Sequence, residues 1–154
     1  MISSILIGTV AGSRSMTPLA AVSVAAAAKA LPEDNGAPAI LANPWVAAGT
    51  VALAAGELAG DKLKSAPDRI VVAGLLARLA TGAIAGMSLA PRRYRYAGAV
   101  LGAATAVAAS FPTFKARMGA MKRHGQTSTG LVEDAVVIAS AAAIVSTARR
   151  QVAH

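Results

Sequence analysis

Cysteine is absent from this 154-residue chain, which excludes disulfides, thiolate metal ligands and thiol catalysis. Aromatic residues are scarce at 3%, so a soluble core would lack its largest packing units. Charged residues reach only 14%, against about 25% in ordinary soluble domains. That is too little charge to cover the surface of a water-soluble globule. Catalytic signatures are missing as well: there is no Gly-x-Ser-x-Gly elbow, no phosphate-binding loop and no His-Glu-x-x-His pair. The two histidines, His124 and His154, stand in a basic stretch and at the last position, without other metal-ligand residue types nearby. The sequence therefore implies no metal site, no cofactor and no assignable enzyme chemistry.

What is present is apolar and small. Ala, Val, Leu and Gly dominate, and mean hydropathy is +0.56. This composition suits close-packed helices in lipid, and the length suits a single domain over 1–154. The net charge of +8 invites a nucleic-acid reading. The basic residues, however, fall between apolar segments: Lys62, Lys64 and Arg69; Arg92, Arg93 and Arg95; Lys115, Arg117, Lys122 and Arg123; Arg149 and Arg150. Membrane proteins place Lys and Arg at lipid headgroups in this manner. No aromatic platform accompanies them, so nucleic-acid binding is set aside. The N-terminus lacks a basic leader and is interrupted by Arg14, so it reads as mature structure, not as a signal peptide.

Taken in order, Ile2 to Ala11 is a short apolar run of about 15 Å if helical, roughly half a bilayer core. In Gly8-Thr-Val-Ala-Gly12-Ser-Arg14-Ser15-Met-Thr17-Pro18, Gly12 offers a stop. Thr17 offers a cap for a new helix, with Pro18 in its first turn. The restarted helix is expected over Leu19–Leu31, as one broken span or as a re-entrant hairpin. Pro32 to Pro38 is a turn, and a second helix starts after Asn43 as cap with Pro44 at its first position, running to about Leu63. Trp45 marks an interface. A third helix covers Ile70–Ala90, and Pro91–Tyr96 is a basic interfacial turn. A fourth segment covers Ala97–Phe111, where Pro112 ends it. Residues 113–127 form a basic surface loop or interfacial helix, and a last helix runs from Ser128 to Thr147. The expectation is an all-α polytopic transmembrane bundle of about five to six segments, multi-pass in a bacterial inner membrane.

Two regularities support tight helix contacts. Gly pairs four apart occur at Gly8/Gly12, Gly56/Gly60, Gly82/Gly86 and Gly98/Gly102. Composition alone predicts about one such pair, and small residues at this spacing let helices approach closely. The run Gly8-Thr-Val-Ala-Gly12 is also echoed by Gly82-Ala-Ile-Ala-Gly86, and Glu57 by Glu133. Halves 1–69 and 70–154 would then form an inverted repeat, as in many transporters; chance self-similarity of an Ala/Gly-rich chain is the alternative.

Ionisable residues inside apolar helices cost about 2.5–3.5 kcal/mol each on insertion scales and need partners. The candidates for a substrate or ion site are Arg14, Ser15, Thr17, Glu57, Asp61, Arg78, Glu133 and Asp134. Arg14 beside the donors of a restarted helix makes an anion pocket, or else it pairs with an acid on a neighbouring helix. Glu57 and Asp61 share one helix face and suit a cation or a proton. Glu133 and Asp134 serve that site or simply cap their helix at the interface.

The set Gly12-Ser-Arg14-Ser15-Met-Thr17-Pro18, Glu57-Leu-Ala-Gly-Asp61-Lys62, Pro67-Asp68-Arg69, Arg78, Gly82 to Gly86 and Glu133-Asp134 resembles a family of small bacterial membrane proteins, domain of unknown function 4126. The resemblance implies a membrane location and a recurring set of polar residues, and no activity. The expected function is a transporter or channel-like protein with a central polar site for a small ion or anionic solute. A membrane-embedded enzyme or lipid-handling protein acting on a phosphate headgroup is the alternative, and a structural membrane subunit is the second. Membrane lipids are the expected partners, and the glycine faces also suit a homodimer.

Overall fold

The computed structural model describes residues 1–60 and 72–150, with the side chain of residue 124 left out. Six α-helices appear among the described residues: α1 Ile2–Ser13, α2 Met16–Ala27, α3 Pro44–Gly60, α4 Val72–Ser88, α5 Arg95–His124 and α6 Gln126–Arg150. Two of them lie in segments long and apolar enough to cross a membrane, Arg92–Arg123 and Gln126–Arg150, with window hydropathies of 1.4 and 1.7. The others are shorter, with 12 residues each in α1 and α2 and 17 in each of α3 and α4.

The break after α1 is real, and its cause differs from the expectation. Gly12 lies inside the helix, and the chain turns at Arg14, whose φ of −139° and ψ of 118° are extended. The turn reverses direction. Ser4 Oγ near the start of α1 donates to Gly86 O at 2.8 Å. Gly36 N, just past α2, donates to Ala90 O at 2.9 Å, and Arg92 N donates to Asp34 O at 3.0 Å. Both outer ends of the α1–α2 pair therefore sit at the C-terminal end of α4, and Arg14 is the apex of a hairpin. Helix α2 stops at Ala27, short of the expected Leu31, because Lys29 takes a left-handed φ of 52°. Ala30 N then bonds Ala25 O at 2.7 Å and Lys29 N bonds Ala26 O at 3.1 Å, a Schellman closure with lysine where glycine is usual.

Helix α3 begins as its sequence requires. Asn43 Oδ1 accepts from Trp45 N at 2.9 Å, and Pro44 occupies the first turn where no donor is needed. Replacing Asn43 by Ala removes this acceptor and is expected to cost about 1 kcal/mol, read as a lower unfolding midpoint by circular dichroism. Trp45 is 83% exposed at this end.

The glycine pairs of α1, α4 and α5 meet in one place. A Cβ on Gly102 would lie 2.2 Å from Gly82 O, and one on Gly86 would lie 2.4 Å from Gly98 O. A Cβ on Gly8 would come within 2.5 Å of Gly102 O. Backbone touches backbone here, a contact that only glycine permits. Gly56 and Gly60 behave differently: nothing among the described residues comes within 4 Å of a Cβ built on either.

Helix α5 overturns one expectation and decides another. Pro112 does not end it, and of the two readings of residues 113–127 helix is the one realised as far as His124; the turn falls at Gly125, with φ 82°. Pro112 forfeits one backbone donor and is exposed, which limits the damage. Beyond it, Thr113 Oγ1 bonds Ala109 O at 2.7 Å and Gly12 O at 3.3 Å, tying the rod to the end of α1.

The helices alternate in direction between two charged ends. One end carries Lys29, Glu33, Asp34, Arg92, Arg93, Arg95, Arg149 and Arg150; the other carries Arg14, Glu57, Arg78, Arg117, Glu133 and Asp134. The stretches 15–28, 35–56, 79–91, 96–114 and 135–148 between them contain no charged residue. Along α1 or α4 the separation is about 18–20 Å at 1.5 Å per residue. Beyond the second end, α5 and α6 project further as a helical arm.

Candidate functional site

The site forms where the hairpin apex meets α3, α4, α5 and α6. Helix α2 starts at Met16 with Ser15 as its cap residue, yet the Ser15 side chain does not cap it. The acceptor comes from α3. Glu57 Oε1 accepts from Ser15 N and Ser15 Oγ, both at 2.9 Å, and Glu57 Oε2 accepts from Met16 N at 2.8 Å. A carboxylate thus neutralises the positive end of α2, the place where a helix binds anions. The donors of the restarted helix, expected to face an anion, are taken by a carboxylate of the same chain.

Arg14 is the largest fully buried side chain, 1% exposed. Its Nη2 donates to Asp134 Oδ1 at 2.5 Å and stands 3.9 Å from Glu133 Oε2. Of the two readings of Arg14, pairing with acids on a neighbouring helix is the one realised here. Asp134 is 6% exposed and lies two turns inside α6, so it is not a helix-capping acid at an interface. Glu133 is shared: its Oε2 also accepts from Arg117 Nη1 at 2.5 Å. Arg78, 4% exposed on α4, lies within electrostatic reach of Glu57, Arg14 and Glu133. Among the described residues, three buried guanidinium groups meet three carboxylates, of which Asp134 is buried and Glu57 and Glu133 are half-buried. A buried charge is tolerated only with partners of this kind.

Thr17 is buried beside the cluster, and its hydroxyl makes no hydrogen bond. Asp61, expected to share a face with Glu57, lies outside the described residues, as do Lys62 and His154.

Arg117 is the member that sequence reasoning misplaced among headgroup-facing bases. It is 8% exposed. The signal was present in the small-residue stripe Gly98, Gly102, Ala106, Ala109 and Thr113, which continues at three- and four-residue steps to Arg117. A residue on the contact stripe of α5 must face α1 and α6, whatever its charge.

Next to the cluster a cleft of about 610 Å³ opens between α5 and α6. Ser13, Thr113, Arg117, Thr129 and Glu133 give it a polar wall, and Ala116, Ala120, Val132 and Val136 an apolar one. Its volume falls in the range of about 300–1,000 Å³ usual for small-molecule sites.

Comparison of the chain with protein-family models, with curated proteins and with solved structures gives no match.

Proposed function

We propose that the chain is a small multi-pass membrane protein of transporter or channel-like type, passing a small ion or anionic solute across a paired-charge centre. The observation that carries this reading is the cluster of Arg14, Arg78, Arg117, Glu57, Glu133 and Asp134 at a helix break, with an open cleft beside it. The apolar layer on one side of the cluster is about 20 Å deep, against a hydrocarbon core of about 30 Å. In a bilayer of ordinary thickness the cluster lies about 10 Å below the opposite headgroups. A broken helix with ionisable groups at depth is the arrangement transporters use for solutes.

The order of elements also fits two sets of three helices. Glu57, near the C-terminal end of α3, and Glu133, two turns into α6, both reach the apex. The α2 terminus held by Glu57 is a carboxylate receptor that an incoming anion can occupy in exchange. Likeness to the family of domain of unknown function 4126 belongs to the same proposal and rests on the sequence motifs, of which Arg14, Ser15, Glu57, Arg78, Glu133 and Asp134 lie at this centre.

Efflux of chloride, nitrate, phosphate and acetate from proteoliposomes is the test. Wild-type protein is expected to release at least one of them. Glu57→Gln keeps one acceptor oxygen, so the variant folds, but its flux falls to background. Absence of flux for every anion, or a Glu57→Gln variant as active as wild type, rejects the reading. Altered lipid headgroups without flux would favour an enzyme instead.

A further inference from the structure

The arm beyond the cluster has a feature that solute passage does not use. From Thr113 to Val132 the chain carries Lys115, Arg117, Lys122 and Arg123 and no acidic residue. Lys122 and Arg123 are exposed at the tip of α5, and Arg123 lies on the same helical face as Ala120, one turn further out. The first residues of α6, whose backbone donors make a helix N-terminus positive, stand at the same mouth. Below the mouth the cleft has its apolar wall of Ala116, Ala120, Val132 and Val136. Ser128, exposed in the first turn of α6, lines the cleft next to this mouth.

We propose that the α5–α6 cleft seats one acyl chain of an anionic phospholipid, with its phosphate held at Arg123 and the first backbone donors of α6, and with Lys122 adding positive charge at the same tip. The charge at the mouth selects an anionic headgroup, and the apolar wall accepts the chain. The ester carbonyl between head and chain is an acceptor suited to the Ser128 hydroxyl. A free inorganic anion would satisfy the mouth but not the wall, and a zwitterionic lipid would satisfy the wall but gain little at the mouth. This inference rests on the membrane reading above and is independent of whether any solute is passed.

Native mass spectrometry of the full chain in detergent, with phosphatidylglycerol and phosphatidylcholine added in equal amounts, tests it. Wild-type protein is expected to retain phosphatidylglycerol preferentially. Lys122→Gln with Arg123→Gln lowers that preference about tenfold, since each surface base contributes to anionic-lipid attraction. Ala120→Phe fills the cleft and abolishes retention while leaving the mouth intact. Arg149→Gln with Arg150→Gln removes equal charge at the other end and changes nothing. Equal retention of both lipids by wild type overturns the proposal. So does an Ala120→Phe variant that still holds phosphatidylglycerol, or an equal loss on removing Arg149 and Arg150. Anion efflux is a separate readout, so failure of transport leaves this result standing, and the reverse.

Discussion

Asp134→Ala is expected to cost the folded state about 3–5 kcal/mol, the usual consequence of stripping a buried charge of its partner. The carboxylate it removes lies 2.5 Å from Arg14, and Arg14 is 1% exposed. Glu133 cannot take over fully, because it stands 3.9 Å from Arg14 and holds Arg117 at 2.5 Å. Arg14→Met is expected to be similarly damaging, for it removes the charge that Asp134 meets at 2.5 Å. The double variant Arg14→Met with Asp134→Leu should cost clearly less than the two singles added together. Removing both charges leaves nothing uncompensated, and apolar replacements of buried pairs are often neutral. Reversible unfolding in mixed micelles measures all three variants. Simple additivity would mean that the two side chains act independently, contrary to the geometry.

The second large effect concerns two glycines that look alike in sequence. Gly102→Ala places a methyl 2.2 Å from Gly82 O and 3.0 Å from Gly86 Cα. Neither neighbour is a side chain that can rotate away, so α4 and α5 must separate. Overpacking of this kind costs about 1–3 kcal/mol and sometimes more. Gly56→Ala is expected to have the opposite sign. No described atom lies within 4 Å of its added methyl, and replacing a mid-helix glycine stabilises by about 0.5–1 kcal/mol. Thermal midpoints of the two variants in the same detergent should therefore move in opposite directions from wild type. A shared direction would show that the α1–α4–α5 glycine contact is not what holds those helices together.

These two cases also mark where local reading stops. The Gly-x-x-x-Gly spacing identifies helices able to approach closely, and it succeeds for Gly8/Gly12, Gly82/Gly86 and Gly98/Gly102. It says nothing about which helix arrives, so Gly56 and Gly60 carry the same pattern with no described residue against them. Pro112 shows the converse. The local rule ends a helix there, yet bonds from Thr113 to Gly12 and from Arg117 to Glu133 hold the next turns in line. The stripe from Gly98 to Thr113 puts Arg117 on the contact face of α5, but only α6 folding back against it makes Glu133 its partner.

Sequence alone determined the helical, charge-poor character of the chain, the interruption near Arg14, the Asn43–Pro44 start of α3 and the short list of charges in need of partners. Those follow from hydropathy, backbone preference and capping, which act over a few residues. Tertiary structure decided that the interruption is a hairpin, that Glu57 closes the end of α2, and that Arg14 meets Asp134 across 120 positions of chain. The physical reason is that a buried charge demands a counter-charge but does not name one. Which carboxylate answers is set by the packing of helices distant in sequence.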